Sequence, residues 1–296
     1  MPCPLCLCRD ILIQMTRRHA LFLTFAAPAF AQVRNPAVEP VSDSPVRWTP
    51  HPVFPGAPVL FKSRIFSGPA TWLGKTIEFR PDDDGFSALA GLNLNRGPGR
   101  YPLVFGGETV QVTVVTHRYP SSTITVPQKF VEPPKEVQAQ INEEIVIKQK
   151  VFQSSPPDRL WQGAFTAPAD TRYTSSFGAR RVYNGKTRSV HQGLDYSAAM
   201  GTQVNAANAG RVAIARDMYF EGGFIVIDHG ESIFTLYMHL SEFLVREGAA
   251  VEKGAPIAKS GASGRATGPH LHFGVQWQGA YLEPSTLLGL WRTRVL

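Results

Sequence analysis

Residues 261–275 read GASGRATGPHLHFGV, and this stretch decides how the rest of the sequence is interpreted. Within it, the triplet His270, Leu271, His272 alternates polar and apolar side chains. Successive side chains of a β-strand point to opposite faces, so both imidazoles are predicted on one face and Leu271 in the core. Two imidazoles that share one face indicate a metal site.

Two upstream runs supply further groups of the same chemistry. His191 and Asp195 lie in the run HQGLD, and His239 ends the strand-like run TLYMH. A single histidine on a strand is usually a hydrogen-bonded structural residue, and this is our interpretation of His229. Four histidines and an aspartate in three short motifs of one segment are hard to explain in that way. The three motifs therefore predict one groove lined by imidazoles and a carboxylate.

The residue types limit which metal the site suits. The cysteines of the chain, Cys3, Cys6 and Cys8, all lie at the extreme amino terminus, so thiolate ligands are excluded elsewhere. Zinc accepts imidazole and carboxylate ligands in a tetrahedron, and its catalytic sites keep one position for water. Bound zinc lowers the pKa of that water from 15.7 to roughly 7. Four imidazoles and a carboxylate exceed the needs of one zinc, which leaves two histidines for acid–base work.

The first 31 residues are predicted to be a signal peptide. Arg17 and Arg18 follow Met15, residues 20–27 are apolar, and the triplet Ala29, Phe30, Ala31 has the small-x-small pattern of a cleavage site. Met15 is a candidate true start. The apolar run is too short to span a bilayer. We therefore expect an exported protein, periplasmic or extracellular, with no stable membrane span after removal of the signal.

Composition limits the class of protein and the partners. The chain has 43% hydrophobic and 18% charged residues with 24 Pro and 26 Gly, which favours a turn-rich all-β protein. Its net charge of +7 fits weak attraction to an anionic polymer, and it fits an ordinary soluble basic protein equally well. No Lys/Arg-rich run is interleaved with aromatic residues, so nucleic acid is not an expected partner. We expect a monomer.

The strand-like runs fall into two groups, one on each side of a helical segment. Residues 32–52 are Pro-rich and predicted to be loose, and short β-type runs separated by turn signals predict a small Ig-like β-sandwich over 53–131. Residues 132–157 are predicted to be a linker with an amphipathic helix, because Val137, Ile141 and Ile145 recur every four residues. Residues 158–296 are again β-rich, which predicts an antiparallel sheet or open barrel.

Beyond residue 158 the sequence resembles the lysostaphin-type (LytM-like) zinc metallopeptidases, the peptidoglycan endopeptidase family. The resemblance covers residues 161–288, somewhat under half of the chain. Its motifs occur in the expected order: YTSSFGARR at 173–181, HQGLD at 191–195, GTQV at 201–204, LYMHLS at 236–241 and SGRATGPHLHF at 263–273.

This resemblance implies roles for individual residues. His191, Asp195 and His272 would bind one zinc ion per chain, and His239 and His270 would be the catalytic pair. The implied activity is hydrolysis of peptide cross-links or stem peptides in bacterial peptidoglycan. Arg180, Tyr183 and Asn184 are further candidates for the groove lining.

Two other functions remain open. A non-catalytic cell-wall-binding or amidase-activating module would use the same fold, although such a module would be expected to have lost ligands. A zinc hydrolase of ordinary extracellular proteins would use the same chemistry. Neither the bond that is cut nor the division of labour between His239 and His270 follows from the sequence.

Overall fold

The computed structural model of the chain describes residues 44–185 and 187–292. The predicted signal peptide, the cysteines and most of the predicted loose segment lie outside the described residues. The described part is β-rich with two α-helices, so the predicted all-β class with a linker helix is confirmed.

A seven-stranded sheet comes first along the chain. Its strands are β1 (Val46–Thr49), β2 (Pro58–Ser63), β3 (Gly68–Trp72), β4 (Lys75–Asp82), β5 (Gly85–Gly91), β6 (Gly99–Phe105) and β7 (Glu108–Val114). Neighbouring strands are antiparallel in the order β1-β2-β5-β4-β3-β6-β7. A parallel bridge between Val53 and Val114 brings the chain after β1 against β7. The Ig-like architecture predicted for residues 53–131 is not confirmed by this single sheet.

Strand β1 corrects the prediction that residues 32–52 are loose. Val46 and Trp48 are buried while Arg47 between them is exposed, which is the alternation of a strand with one face in the core. The prolines on both sides of this short run had favoured the prediction of a loose segment. The predicted boundary at residue 52 therefore lies after the first strand of the sheet.

A ten-stranded antiparallel sheet forms the second half. Its strands are β9 (Tyr173–Ser175), β12 (Leu194–Tyr196), β13 (Gln203–Asn205), β14 (Gly210–Met218), β15 (Gly222–Asp228), β16 (Ile233–Phe243), β17 (Ala250–Val251), β18 (Pro256–Ser260), β19 (Leu271–Trp277) and β20 (Ala280–Leu282). The main order is β17-β14-β15-β16-β19-β12-β9, and β18 pairs with both β13 and β16. Every residue of β15 and β19 is buried, so these two strands form the centre of the core.

A third, three-stranded sheet lies beside the predicted site. It contains β8 (Ser121–Ile124), β10 (Arg180–Tyr183) and β11 (Thr187–Val190), with β8 parallel to β10. Strand β8 lies within residues 53–131, which were predicted to form the Ig-like sandwich. It nevertheless pairs with β10, a strand of the second half. Pairing between strands this far apart in the chain is not encoded in local periodicity.

The predicted linker helix is α1 (Gln138–Gln153), and a short second helix, α2 (Pro284–Gly289), follows β20. Ile147, Val151 and Phe152 of α1 pack on the cluster around Phe234 in the second sheet. Ile145, predicted on the apolar stripe, is instead 42% exposed. Ile141 of the same stripe is buried, so the predicted stripe is only partly confirmed. Neither helix of the described part has both the length and the apolar character that crossing a membrane requires.

Glu231 joins the two halves of the chain. Its carboxylate accepts hydrogen bonds from Arg80 Nε and Arg159 Nε, both 3.1 Å, and from Trp161 Nε1 at 3.0 Å. Arg159 also donates to the backbone oxygen of Ser87 at 2.7 Å. The Glu231 and Arg159 side chains are only 10% and 11% exposed, so removal of the carboxylate charge would leave a cation buried.

We expect Glu231→Gln to destabilise the protein by about 3 kcal/mol, because a buried ion pair that loses one partner costs this much. The melting temperature should fall by roughly 6–12 °C, measured by calorimetry. Glu252→Gln is the matched control, since that carboxylate is exposed in a turn and forms no ion pair with the residues described. Equal melting temperatures for the two variants would show that the cluster does not stabilise the contact between the halves.

Candidate metal centre

Three of the predicted site residues converge on one point. His191 Nε2 lies 2.9 Å from Asp195 Oδ1 and 3.0 Å from His272 Nδ1, and Asp195 Oδ1 lies 2.9 Å from His272 Nδ1. The three residues are 3%, 7% and 8% exposed, respectively. Among the described residues, this trio is the group of His, Cys, Asp and Glu side chains whose arrangement could hold a metal ion.

Strand pairing brings the trio together. Asp195 on β12 lies directly opposite His272 on β19 in an antiparallel register, and His191 precedes β12 by three residues. Gly193 allows the close approach, because a Cβ at this position would lie 2.4 Å from His272 Nε2. The glycine of the HQGLD motif therefore makes space for the second imidazole.

The proton positions of His191 favour metal binding. Its Nδ1 lies 2.9 Å from the backbone oxygen of Ser176, which can only accept, so Nδ1 carries the proton. The lone pair is then on Nε2, which faces the other two donors. A backbone acceptor on the remote nitrogen is the usual arrangement for a metal-ligating histidine.

The donor set fits zinc. Two imidazole nitrogens and one carboxylate oxygen match the catalytic zinc sites that keep an open position. Bond lengths near 2.0–2.2 Å in a tetrahedron place neighbouring donors roughly 3.3 Å apart. The observed separations of 2.9–3.0 Å need only a small expansion to reach that value.

Arg181 holds the second oxygen of Asp195. Its terminal nitrogen donates to Asp195 Oδ2 at 2.6 Å and to Ser175 Oγ at 2.7 Å, and its side chain is 13% exposed. With Oδ2 occupied, Asp195 presents Oδ1 alone to His191 and His272. Burial raises the pKa of Asp195, but the close polar contacts of its carboxylate with His191 and His272 outweigh burial, so the pKa lies well below its ordinary value. Sequence analysis missed Arg181, which has no spacing signal of its own.

We expect Arg181→Met to weaken zinc binding about 10- to 100-fold, since the carboxylate loses the partner that orients it. Competition with a chromophoric chelator measures the dissociation constant without any need for turnover. Arg180→Met is the control, because Arg180 is the neighbouring residue and is exposed. Equal affinities for the two variants would show that Arg181 does not orient the ligand.

A β-bulge positions His239. Gly223 pairs with Leu240 and Ile225 with Tyr237, so two residues, Met238 and His239, lie opposite Phe224 alone. His239 has a left-handed backbone with φ of 65°, which is uncommon for a residue other than glycine. The bulge turns the imidazole towards the trio, with its ring centre 6.2 Å from that of His272.

His239 and His270 form a second pair of imidazoles next to the trio. Their ring centres are 4.7 Å apart, and His270 Nε2 lies 3.9 Å from Asp195 Oδ1. Each ring is fixed through Nδ1, which lies 2.8 Å from the backbone oxygen of Ser263 for His239 and of Gly268 for His270. Both Nε2 atoms therefore carry lone pairs and can accept a proton. The structure thus brings together all five residues that the sequence predicted.

Burial controls the charge of His239. Desolvation, with smaller contributions from the neighbouring His270 and His272, lowers the pKa of His239 to about 3. The ring is then neutral at neutral pH. The pKa of His272 is also lowered by burial, which keeps its nitrogen available to a metal.

The other histidine of this region is structural. His229 is fully buried, with Nδ1 2.7 Å from the backbone oxygen of Ala209 and Nε2 2.7 Å from Thr235 Oγ1. Of the candidates for the groove lining, Arg180 is exposed, Tyr183 is buried, and Asn184 binds the backbone of Val126 through its amide group.

Comparisons with known proteins find relatives that share part of this sequence. Peptidoglycan DD-endopeptidase ShyA of Vibrio cholerae is 37% identical over 126 residues, which are 42% of this chain and 27% of ShyA. DD-carboxypeptidase/endopeptidase Mpg of Neisseria meningitidis is 38% identical over 114 residues, 38% of this chain and 26% of Mpg. The matched region thus spans about a quarter of the length of these relatives.

The fold is shared over a longer range than the sequence similarity. A crystal structure from Pseudomonas aeruginosa, whose description names peptidase M23, superimposes with a TM-score of 0.63 at 24% identity. The superposition covers 81% of this chain and 95% of that one, and at this identity it supports the fold alone. Residues 189–284, which contain all five predicted site residues, match the model of Peptidase family M23. This part of the chain is therefore a Peptidase family M23 (LytM-like) domain.

Proposed function

We propose that the protein is an exported zinc metalloendopeptidase that hydrolyses peptide cross-links or stem peptides of bacterial peptidoglycan. The observation that carries the proposal is the buried trio of His191, Asp195 and His272, with the Nε2 atoms of His239 and His270 beside it. The names of the relatives, DD-endopeptidase and DD-carboxypeptidase/endopeptidase, favour a bond between two D-configured centres.

The residues divide the chemistry between them. Zinc, when bound to the trio, would supply a Lewis acid that makes water nucleophilic at neutral pH. His239 and His270 each present an Nε2 lone pair, and either nitrogen can accept the proton of the attacking water. After that transfer an imidazolium can donate to the developing oxyanion or to the leaving amine.

A non-catalytic wall-binding or activating module is the second candidate. The complete set of three donors and two basic nitrogens favours catalysis, because a binding module has no use for it. A hydrolase of ordinary extracellular proteins would share the site and differ in the peptides it accepts. Export rests on the predicted leader over residues 1–31, and cell fractionation of a tagged chain tests it.

The test is mass spectrometry of fragments released from purified peptidoglycan by the zinc-loaded protein. We expect muropeptides with a new amine and a new carboxylate at a D,D bond, and one zinc per chain by elemental analysis. Release of no fragment, with the metal bound, would favour the non-catalytic module. Cleavage of casein at a comparable rate would favour a hydrolase of ordinary proteins.

A further inference from the structure

Arg265 contacts two aromatic rings and lies in the loop that precedes β19. Its guanidinium carbon lies 4.9 Å from the ring centre of Tyr183 and 4.9 Å from that of Phe220. Its backbone nitrogen also donates to the oxygen of Phe220 at 2.8 Å. Cation–π contact with two rings fixes the side chain while leaving the N–H edges of the guanidinium free.

No carboxylate neutralises this cation within residues 44–185 and 187–292. Arg80, Arg159, Arg181 and Arg216 each form an ion pair with a nearby acid, and Arg265 forms none, nor any side-chain hydrogen bond. Arg265 is nevertheless partly buried. A fixed, partly desolvated guanidinium with free N–H donors is a site for an anion.

Two connections place Arg265 close to the predicted site residues. The backbone oxygen of Ser263, two residues earlier, is 2.8 Å from His239 Nδ1. On the other side, Tyr183 lies two residues along β10 from Arg181, which contacts Asp195, and side chains at this spacing share a face. Both connections are short, so the guanidinium lies within reach of a peptide that extends from the trio.

The platform under Arg265 is itself fixed. Tyr183 packs with Val126 and Phe130, and the Asn184 side chain bonds to both the nitrogen and the oxygen of Val126, each at 2.9 Å. Tyr219, next to Phe220, donates through its hydroxyl to the oxygen of Lys129 at 2.7 Å. Because the Arg265 side chain is already fixed, little conformational entropy is lost when it binds an anion.

We propose that Arg265 is a specificity-determining residue that binds a carboxylate of the peptide substrate. A guanidinium matches a carboxylate with two parallel hydrogen bonds, so the carboxylate would fix the register of the peptide over the metal centre. The carboxylate comes either from the free end of a short peptide or from an acidic group within it. This inference rests on the proposed function and names the chemistry of its substrate.

The test uses synthetic D,D-peptides in matched pairs. In one pair the terminal carboxylate is replaced by a carboxamide, and in the other a carboxylate within the peptide is replaced. The zinc-loaded wild type is compared with Arg265→Gln and Arg265→Lys. Arg246→Gln is the control, because Arg246 is exposed and forms no ion pair with the described residues. Zinc content and melting temperature confirm that each variant is folded.

We expect the wild type to prefer one acid over its amide by about 10- to 100-fold in kcat/KM, the range for hydrogen bonds to a charged group. Arg265→Gln should lose this preference because its KM for the acid rises, and it should cleave the amide at the wild-type rate. Arg265→Lys should keep part of it, and Arg246→Gln all of it. The pair that shows the preference identifies the source of the carboxylate.

Equal cleavage of acid and amide by the wild type in both pairs would overturn the inference and leave the proposed function intact. So would an Arg265→Gln variant that keeps the full preference. If no peptide is cleaved, the proposed function fails. Binding of the same peptide pairs to zinc-loaded His239→Ala then tests whether Arg265 binds a carboxylate. Tighter binding of the acid supports the inference, and equal binding refutes it.

Discussion

His272→Ala is expected to lose both the metal and the activity. The change removes one of three donors whose atoms lie within 3.0 Å of one another, and it leaves His191 and Asp195 as the remaining ligands. Without a held metal, water keeps a pKa of about 15.7 instead of roughly 7, so hydrolysis should fall by more than about 10⁴-fold. Elemental analysis after dialysis and release of peptidoglycan fragments measure the two losses.

The matched control for this prediction is His117→Ala. His117 is exposed and stacks on Phe54 in the first half of the chain, so the variant removes an imidazole far from the trio in sequence. It should keep one zinc and the wild-type rate. Melting curves of the metal-free proteins separate loss of zinc from loss of fold. A fully active His272→Ala protein would refute the assignment of the ligand.

The five polar groups of the site could be predicted from sequence because their motifs are local, and the resemblance to the LytM-like family selected the three ligands among them. Strand alternation places His270 and His272 on one side, and the spacing from His191 to Asp195 is part of one short motif. The role of Gly193 was not predicted, because the close approach of His272 depends on the pairing of β12 with β19. The alternation and the motif spacing, unlike the contact at Gly193, need no knowledge of which strands pair.

The parts that were missed depend on contacts between distant segments. The bulge that turns His239 exists only in the pairing of β15 with β16, and nothing in the run TLYMH indicates it. Arg181 and Arg265 gain their significance from what lies beside them, a carboxylate in one case and two rings in the other. The buried face of α1 likewise depends on the cluster around Phe234.

His239→Ala is expected to keep the metal and lose the activity. The His239 ring is 6.2 Å from that of His272 and supplies none of the three donors, so zinc affinity should change by less than about twofold. The loss of a positioned base should lower kcat by about 10²- to 10⁴-fold with little change in KM. Zinc titration and steady-state kinetics on a soluble peptide measure both.

A second substitution controls for the backbone. His239 has φ of 65°, and alanine is less tolerant of this conformation than asparagine. His239→Asn therefore keeps the bulge while removing the base, and it should show the same loss of kcat. If His239→Asn is active, the loss of activity in His239→Ala comes from a disturbed backbone at the bulge and not from the missing imidazole. Loss of zinc from both variants would make His239 a ligand.

The double variant His239→Ala, His270→Ala resolves how the two imidazoles work. If both act in the same step, the double variant should be little slower than the slower single variant, because residues that act as a unit are strongly non-additive. If one accepts the proton of water and the other stabilises the oxyanion independently, the two losses should multiply. The ring centres are 4.7 Å apart, but the two Nδ1 atoms bind different backbone oxygens. We therefore expect the loss of activity in the double variant to lie between these two extremes.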